Sequence, residues 1–219
     1  KRKAKMLDLP PSVMARVFAI MTFTAVTGSI IFNFTTNGNG ELLANRAKNI
    51  AQDPAMLATM LFIIFSLASL AQLVVGKLID RYPLKNIYLP IVLLQVPLFL
   101  IASQVEGWAL FLTAIAFMLL VFGAIPFTDA MIVRYIDDRM RSRVTGVRLA
   151  IGFGVSSFVV ALIGPLVKDA GFPVLLSVLA GVAFCSFLAL SLLPSEKDVH
   201  AIATAPKPAA TMKRLRLFS

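Results

Sequence analysis

Six stretches of this sequence are long and apolar enough to cross a lipid bilayer, and they lie at 13–34, 56–76, 87–104, 108–133, 147–167 and 173–193. A helix needs about 20 apolar residues to span the hydrocarbon core. The stretches are continuously apolar and lack the alternation of membrane-spanning strands, so helices are the predicted spanning element. We therefore expect an all-α membrane protein whose six transmembrane helices form one bundle.

The composition supports the same class and limits the chemistry. Hydrophobic residues make up 58% of the chain and the mean hydropathy is +0.86, which is more apolar than a water-soluble domain of this size. The single cysteine, Cys185, excludes a disulfide framework. With only one histidine, His200, the chain also has too few ligands for a His/Cys metal site. We expect no cofactor.

The distribution of basic residues predicts the orientation. If both termini are cytoplasmic, 18 of the 21 Lys and Arg residues lie on the cytoplasmic side, and the exceptions are Arg46, Lys48 and Lys168. This asymmetry is what the positive-inside rule describes for a multi-pass protein, and we expect the inner membrane of a cell. It accounts for the net charge of +10 without a nucleic acid, and it favours contact with anionic membrane lipids.

The chain divides into three predicted regions. Residues 1–12 are a cytoplasmic linker, 13–194 hold the six-helix bundle, and 195–219 form a disordered, Ala- and Pro-rich cytoplasmic tail. The longest outside loop is predicted at 35–55. Its TTNGNG sequence at 35–40 is typical of turns, and 41–49 is compatible with a short amphipathic surface helix.

The short connection between the second and third runs, GKLIDRYPLK at 76–85, is dense in charge. Pro83 prevents a helix from running through it, so we expect a tight hairpin. The connection resembles the loop motif G-x-x-x-D-R-x-G-R-K of the major facilitator superfamily. The matching residues are Gly76, Asp80, Arg81 and Lys85. Pro83 and Leu84 depart from the motif.

Later residues extend the resemblance over nearly the whole chain. Arg139, Arg143 and Gly146 resemble the family's basic loop before the penultimate span, and Gly164-Pro165 with Gly171 resembles the end of that span. The resemblance implies the C-terminal six-helix half of a twelve-helix transporter, in a proteobacterial-type branch of unknown substrate. The implied partners are a small-molecule substrate and either an N-terminal six-helix half or a second copy.

The resemblance implies a secondary active transporter that works by alternating access, with protons as a candidate coupling ion. The alternative is a non-transporting membrane scaffold, or a truncated transporter relic that needs a partner half. An intramembrane serine hydrolase would need a histidine within the membrane, and no predicted span contains one, so we expect no enzyme activity.

The family's loop motif implies a gating role for the charged connection. It holds the cytoplasmic helix ends together in one conformation and releases them in the other. The expected gating residues, including partners from the end of the fourth span, are Gly76, Asp80, Arg81, Lys85, Arg134, Asp137, Asp138 and Arg143. The alternative is that these charges only specify topology and solvate the loop.

Asp129 is the single carboxylate within a predicted span. An ionisable group inside a membrane is a functional candidate by default, and Asp129 is the candidate for proton coupling. The alternative is structural, because Asp129 lies in the cytoplasmic third of its span, where it reaches interfacial water or pairs with Arg134.

Polar side chains inside the spans are the candidates for lining a solute site. They are Thr24, Thr27, Asn33, Ser66, Ser69, Gln72 and Thr128. The resemblance implies that the first, second, fourth and fifth spans line the cavity, which disfavours Gln95 in the third span. The alternative is that these groups bond their own backbone or join helices. Gly152 and Ser156 predict a small-residue face for close helix packing.

Overall fold

The computed structural model describes residues 11–51, 53–135 and 138–193, and it gives side chains at 15–51, 53–132 and 141–193. Its helices are α1 (Pro11–Arg46), α2 (Pro54–Arg81), α3 (Leu84–Gln104), α4 (Gly107–Gly123), α5 (Ile125–Tyr135) and α6 (Asp138–Ser191). These ranges contain no strand. The expected all-α class is confirmed. The predicted linker up to residue 10 and the predicted tail from 195 lie outside the described residues.

Five helical segments in the described ranges have the length and apolarity to cross a membrane, at Ala15–Arg46, Pro54–Arg81, Leu84–Gln104, Gly107–Ile132 and Arg141–Ser191. Each corresponds to one predicted run, except the last, which corresponds to two. The fold is therefore that of a multi-pass membrane protein.

The predicted outside loop at 35–55 is wrong over much of its length, because α1 continues to Arg46. Thr35 Oγ1 donates to Ile31 O at 2.8 Å, and Asn37 Nδ2 donates to Asn33 O at 2.9 Å. These side chains donate hydrogen bonds to backbone carbonyls four residues earlier in the same helix, so they do not draw the backbone away from the helical conformation. Burial of Leu42 and Leu43 then holds the segment against the bundle.

The hairpin between α2 and α3 is as tight as predicted, but its charged residues are helical. The backbone leaves the helix at Tyr82, whose conformation is extended, and α3 begins at Leu84 directly after Pro83. Asp80 and Arg81 therefore form the last turn of α2, and Lys85 lies in the first turn of α3.

The predicted fourth span, 108–133, contains a break. It consists of α4 and α5, which are separated at Ala124 just before Pro126. Proline has no backbone N–H and cannot continue the hydrogen-bond ladder of α4. Helix α2 packs closely at this point, since a Cβ added to Gly123 would lie 3.2 Å from Val75 Cγ2.

Helix α6 reverses direction at Gly171, whose φ of 76° and ψ of 165° are not helical. Before this residue α6 runs parallel to α1, because Gly152 lies beside Ser29 and Asn33 Nδ2 bonds Ser156 Oγ. After it the chain returns antiparallel to α1, where Thr27 Oγ1 donates to Ser186 Oγ at 3.0 Å. The positive φ favours glycine at the turn.

The buried core has two clusters, one towards each end of α1. We call these the Arg46 end and the Arg16 end of the bundle. Phe99 and Phe117 meet in the first cluster with ring centroids 5.2 Å apart. Tyr88 and Phe127 stack in the second at 4.6 Å. Helix α2 has few buried residues and presents a broad apolar face, which suits contact with lipid or with another bundle.

Candidate solute-binding cleft

An open cleft of about 490 Å³ lies between α1, α3, the α4–α5 junction and α6. Its volume is in the usual range for small-molecule sites. Helix α1 contributes Thr24, Ala25, Gly28, Ser29, Phe32 and Asn33, and α6 contributes Arg148, Leu149, Gly152, Phe153 and Ser156. The remaining lining residues are Tyr88, Val121, Ala124, Ile125 and Thr128. We call this space the central cleft.

Helical spacing explains why these residues share one surface. On α6, Arg148, Gly152 and Ser156 recur every four residues and therefore lie on one face. That face packs on α1, because a Cβ added to Gly152 would lie 3.8 Å from Ser29 Oγ. The small-residue packing predicted for Gly152 and Ser156 is thus present, with α1 as the partner.

The wall between α1 and α6 is joined by a polar contact. Asn33 Nδ2 donates to Ser156 Oγ at 2.7 Å and to Ser29 O at 2.8 Å. The side-chain oxygen Oδ1 of Asn33 has no partner among these contacts and remains an acceptor at the cleft. Asn33 therefore both fixes the two helices and contributes polarity to the site.

The threonines at the cleft bond their own helices. Thr24 Oγ1 donates to Ile20 O at 2.9 Å, and Thr128 Oγ1 donates to Ile125 O at 2.9 Å. Each hydroxyl oxygen keeps acceptor capacity. These threonine side chains therefore offer a solute mainly hydrogen-bond acceptors, whereas Arg148 offers hydrogen-bond donors.

An ion pair joins α5 to α6 beside the cleft. Arg148 Nη1 lies 2.7 Å from Asp129 Oδ1, and the side chains are 26% and 66% exposed respectively. The pairing of Asp129 with Arg134 stays a prediction, because the side chain of Arg134 lies outside the described residues. The pairing with Arg148 is not one that the sequence predicts, since Arg148 was counted among the cytoplasmic basic residues. Arg148 is within the bundle because its face packs on α1.

Four of the predicted solute-lining residues lie away from the central cleft. Thr27 is buried and donates to Ser186 Oγ on the returning half of α6. Ser66 and Ser69 are exposed on α2, and Gln72 is half-buried on the same helix. The predicted residues that do line the cleft are Thr24, Asn33 and Thr128. Gln95 is buried and its Nε2 donates to Leu120 O at 3.4 Å, which joins α3 to α4.

The gating residues are only partly brought together. Asp80 and Arg81 are exposed, and within the described side chains neither forms an ion pair. Gly76 is helical with open space around it, and Arg143 is exposed. The side chains of Arg134 and Asp138, and all of Asp137, lie outside the described residues, so the expected interface with them stays a prediction.

Lys85 has partners that the sequence did not suggest. Its Nζ donates to Ser191 O at 2.7 Å and to Leu193 O at 2.6 Å, at the end of α6. Arg16 Nη2 donates to Leu192 O at 3.0 Å. Two cations therefore satisfy carbonyls that a helix C-terminus leaves free.

The Arg46 end carries a comparable contact. Arg46 Nη1 donates to Ala102 O at 3.3 Å and to Ser103 O at 2.9 Å, which closes the last turn of α3. Its Nη2 lies 3.3 Å from Glu106 Oε1. At each end of the bundle, a basic side chain of α1 therefore donates hydrogen bonds to carbonyl oxygens at the end of another helix.

Sequence reasoning missed Arg148, Ser29, Ser156 and Tyr88 as lining residues. The spacing of Arg148 to Gly152 and Ser156 was the available signal, since it places all three on one face. Tyr88 carried no such signal, because a tyrosine near the start of a span is expected at the membrane interface. Within the described ranges no three carboxylate, imidazole or thiol side chains come together, so no metal site is identified there.

The chain matches a known protein family over most of its length. Residues 13–219 match the family model described as Major Facilitator Superfamily, which covers almost the entire chain. No curated protein matches the sequence.

Proposed function

Because this chain belongs to the major facilitator superfamily, whose members are transporters, we propose that it forms the C-terminal half of a secondary active transporter. It moves a small solute across the inner membrane by alternating access. The central cleft is the part of the solute site that this half contributes.

The observation that carries this proposal is the presence of polar and charged side chains on an open cleft in an otherwise apolar bundle. An arginine and an asparagine facing acyl chains would be costly, so the open side of the cleft faces another protein surface. A second six-helix bundle supplies that surface, either as an N-terminal half or as another copy. The solute then lies between the two bundles.

We further propose six crossings with both termini in the cytoplasm. Helix α6 has 54 residues, which correspond to about 80 Å and exceed the hydrocarbon core of about 30 Å. The reversal at Gly171 divides it into two segments of spanning length. The Arg16 end then faces the cytoplasm, where the excess of basic residues belongs.

In this proposal the end of α2 is the moving contact. Asp80 and Arg81 are exposed there and remain accessible to the opposite bundle. Their charges close the cytoplasmic side in one conformation and separate in the other. Lys85 has a different role, because it anchors α3 to α6 within this half.

The test uses the full-length protein in membrane vesicles of known orientation, with Cys185 replaced by Ser. Ser29→Cys introduces a thiol in the cleft, and Leu112→Cys introduces one on the exposed apolar face of α4. A membrane-impermeant maleimide should label Ser29→Cys from either side, in proportions that a transported solute changes. It should not label Leu112→Cys. Labelling of Ser29→Cys from one side only, under all conditions, would contradict alternating access.

A further inference from the structure

We propose that Arg148 binds the transported solute through an anionic group, and that this solute is an organic monocarboxylate with an apolar body. The inference rests on the proposed function and names the substrate class of the same cleft. It follows from which charges line the cleft, how each is buried, and what surrounds them.

Arg148 lies well inside the bundle. It is one turn before Gly152, which packs beside Ser29, so it is level with about Ala25 on α1. Ala25 is nine residues beyond Arg16, which corresponds to about 13 Å along the helix. An arginine side chain keeps its charge in proteins. At this depth it therefore requires an anionic or dipolar partner.

Arg148 is the single charged residue that lines the described cleft. Asp129 is not part of the lining, and it reaches the guanidinium from the α5 side. A solute in the cleft therefore meets the arginine and not the carboxylate. This asymmetry favours an anion over a cation.

The guanidinium has donors to spare. A guanidinium carries five N–H donors, and its contact with Asp129 runs from Nη1 to Oδ1. Among the described residues Asp129 is its one ion-pair partner. The planar arrangement of guanidinium donors matches the two oxygens of a carboxylate, and the carboxylate of Asp129 already occupies one of its sides.

The rest of the lining sets the size and charge of the solute. Phe32, Ile125 and Phe153 are apolar and surround the space next to the arginine. Among the described residues, the lining contains no lysine and no second arginine. Against this half, a dianion such as a phosphate monoester would leave one charge without a partner, whereas a monocarboxylate is matched by one guanidinium. An apolar body then fills the remaining volume.

Asp129 competes with the solute for the same guanidinium. Its side chain is two-thirds exposed, so it loses little solvation in the pair, while the arginine is about three-quarters buried. Release of Asp129 into water costs less than leaving the arginine alone. Removal of the carboxylate therefore frees the binding group and should strengthen anion binding.

The experiment measures thermal stabilisation of the purified full-length protein by three matched probes. Phenylacetate is an acid, phenylacetamide is neutral and phenethylamine is a cation, and all three carry the same ring. Only phenylacetate should stabilise the protein in a saturable way. Its apparent affinity should fall by about tenfold or more in Arg148→Gln and rise by about fivefold in Asp129→Asn, from the loss and gain of one charge-assisted contact.

The double variant Asp129→Asn/Arg148→Gln controls for folding, because it removes both charges and leaves no unpaired ion. It should melt cooperatively and fail to bind phenylacetate. Preference for phenethylamine, weaker phenylacetate binding in Asp129→Asn, or no saturable response to phenylacetate would overturn the inference. The labelling of Ser29→Cys is an independent test of the transporter proposal. If that thiol is labelled from both sides of the membrane but phenylacetate does not bind as expected, the substrate class is rejected and the transporter proposal stands.

Discussion

The Lys85 ammonium lies 2.6 Å from the carbonyl oxygen of Leu193. The last basic residue of the charged motif therefore binds the C-terminal end of α6. Arg16 approaches the neighbouring carbonyl of Leu192 at 3.0 Å. Three helices, α1, α3 and α6, are thereby joined at one end of the bundle. Because a helix C-terminus carries partial negative charge, both cations also interact favourably with the helix dipole.

Substitution Lys85→Met should therefore destabilise the bundle. Methionine keeps most of the aliphatic stem and removes the donors to Ser191 and Leu193. We expect the free energy of unfolding to fall by about 1 kcal/mol. Thermal unfolding in detergent measures it, with Lys77→Met as the matched control because Lys77 is exposed on α2. Equal melting temperatures for the two variants would show that the α6 contact contributes nothing.

Gly171→Ala tests the reversal of α6. The φ of 76° places this residue where an L side chain is strained, and the cost of the substitution should be about 1–2 kcal/mol. Gly181→Ala is the control within the same element, since Gly181 is helical and a Cβ there meets nothing within 4 Å. Alanine should be neutral or slightly stabilising at 181. Similar unfolding curves for both variants would contradict a glycine-dependent turn.

Asn39→Ala should stabilise the protein. Asn39 is 1% exposed, and neither its Nδ2 nor its Oδ1 has a hydrogen-bond partner in the described part of the chain. A buried amide without partners costs about 1–3 kcal/mol. Asn37→Ala gives the same gain in helix propensity at an exposed position of α1, where it also removes a solvent-exposed hydrogen bond to Asn33 O. A larger gain in stability for Asn39→Ala than for Asn37→Ala is therefore expected. If Asn39→Ala lowers the melting temperature, the amide holds an ordered water instead.

The apolar runs predict most of the fold, because length and continuous hydrophobicity are local properties. The segment at 35–40 was predicted wrongly for the opposite reason. Its Thr, Asn and Gly residues favour turns locally, but burial of Leu42 and Leu43 outweighs that preference. The break at Ala124 was missed because Pro126 interrupts a stretch that is apolar on both sides.

The candidate site was less predictable, since it depends on which helices meet. The sequence identifies Asp129 as the unusual carboxylate of a span, but it does not indicate the ion pair with Arg148, which lies on a different helix, 19 positions along the chain. Thr24 and Thr27 look equivalent in sequence, but one lines the cleft and the other faces Ser186. Only the crossing of α1 with the two halves of α6 distinguishes them.

Asp80→Asn should abolish transport by the full-length protein while leaving expression and unfolding unchanged. Asp80 is exposed in the last turn of α2 and has no ion-pair partner among the described side chains, so its substitution removes no contact that the described part of this half shows. The gating proposal requires its charge where α2 meets the opposite bundle. Asp169→Asn is the control, because Asp169 is exposed beyond the opposite end of the cleft. Uptake into cells or vesicles of a solute that the wild-type protein carries gives the readout. Normal uptake by Asp80→Asn would assign the motif to topology alone.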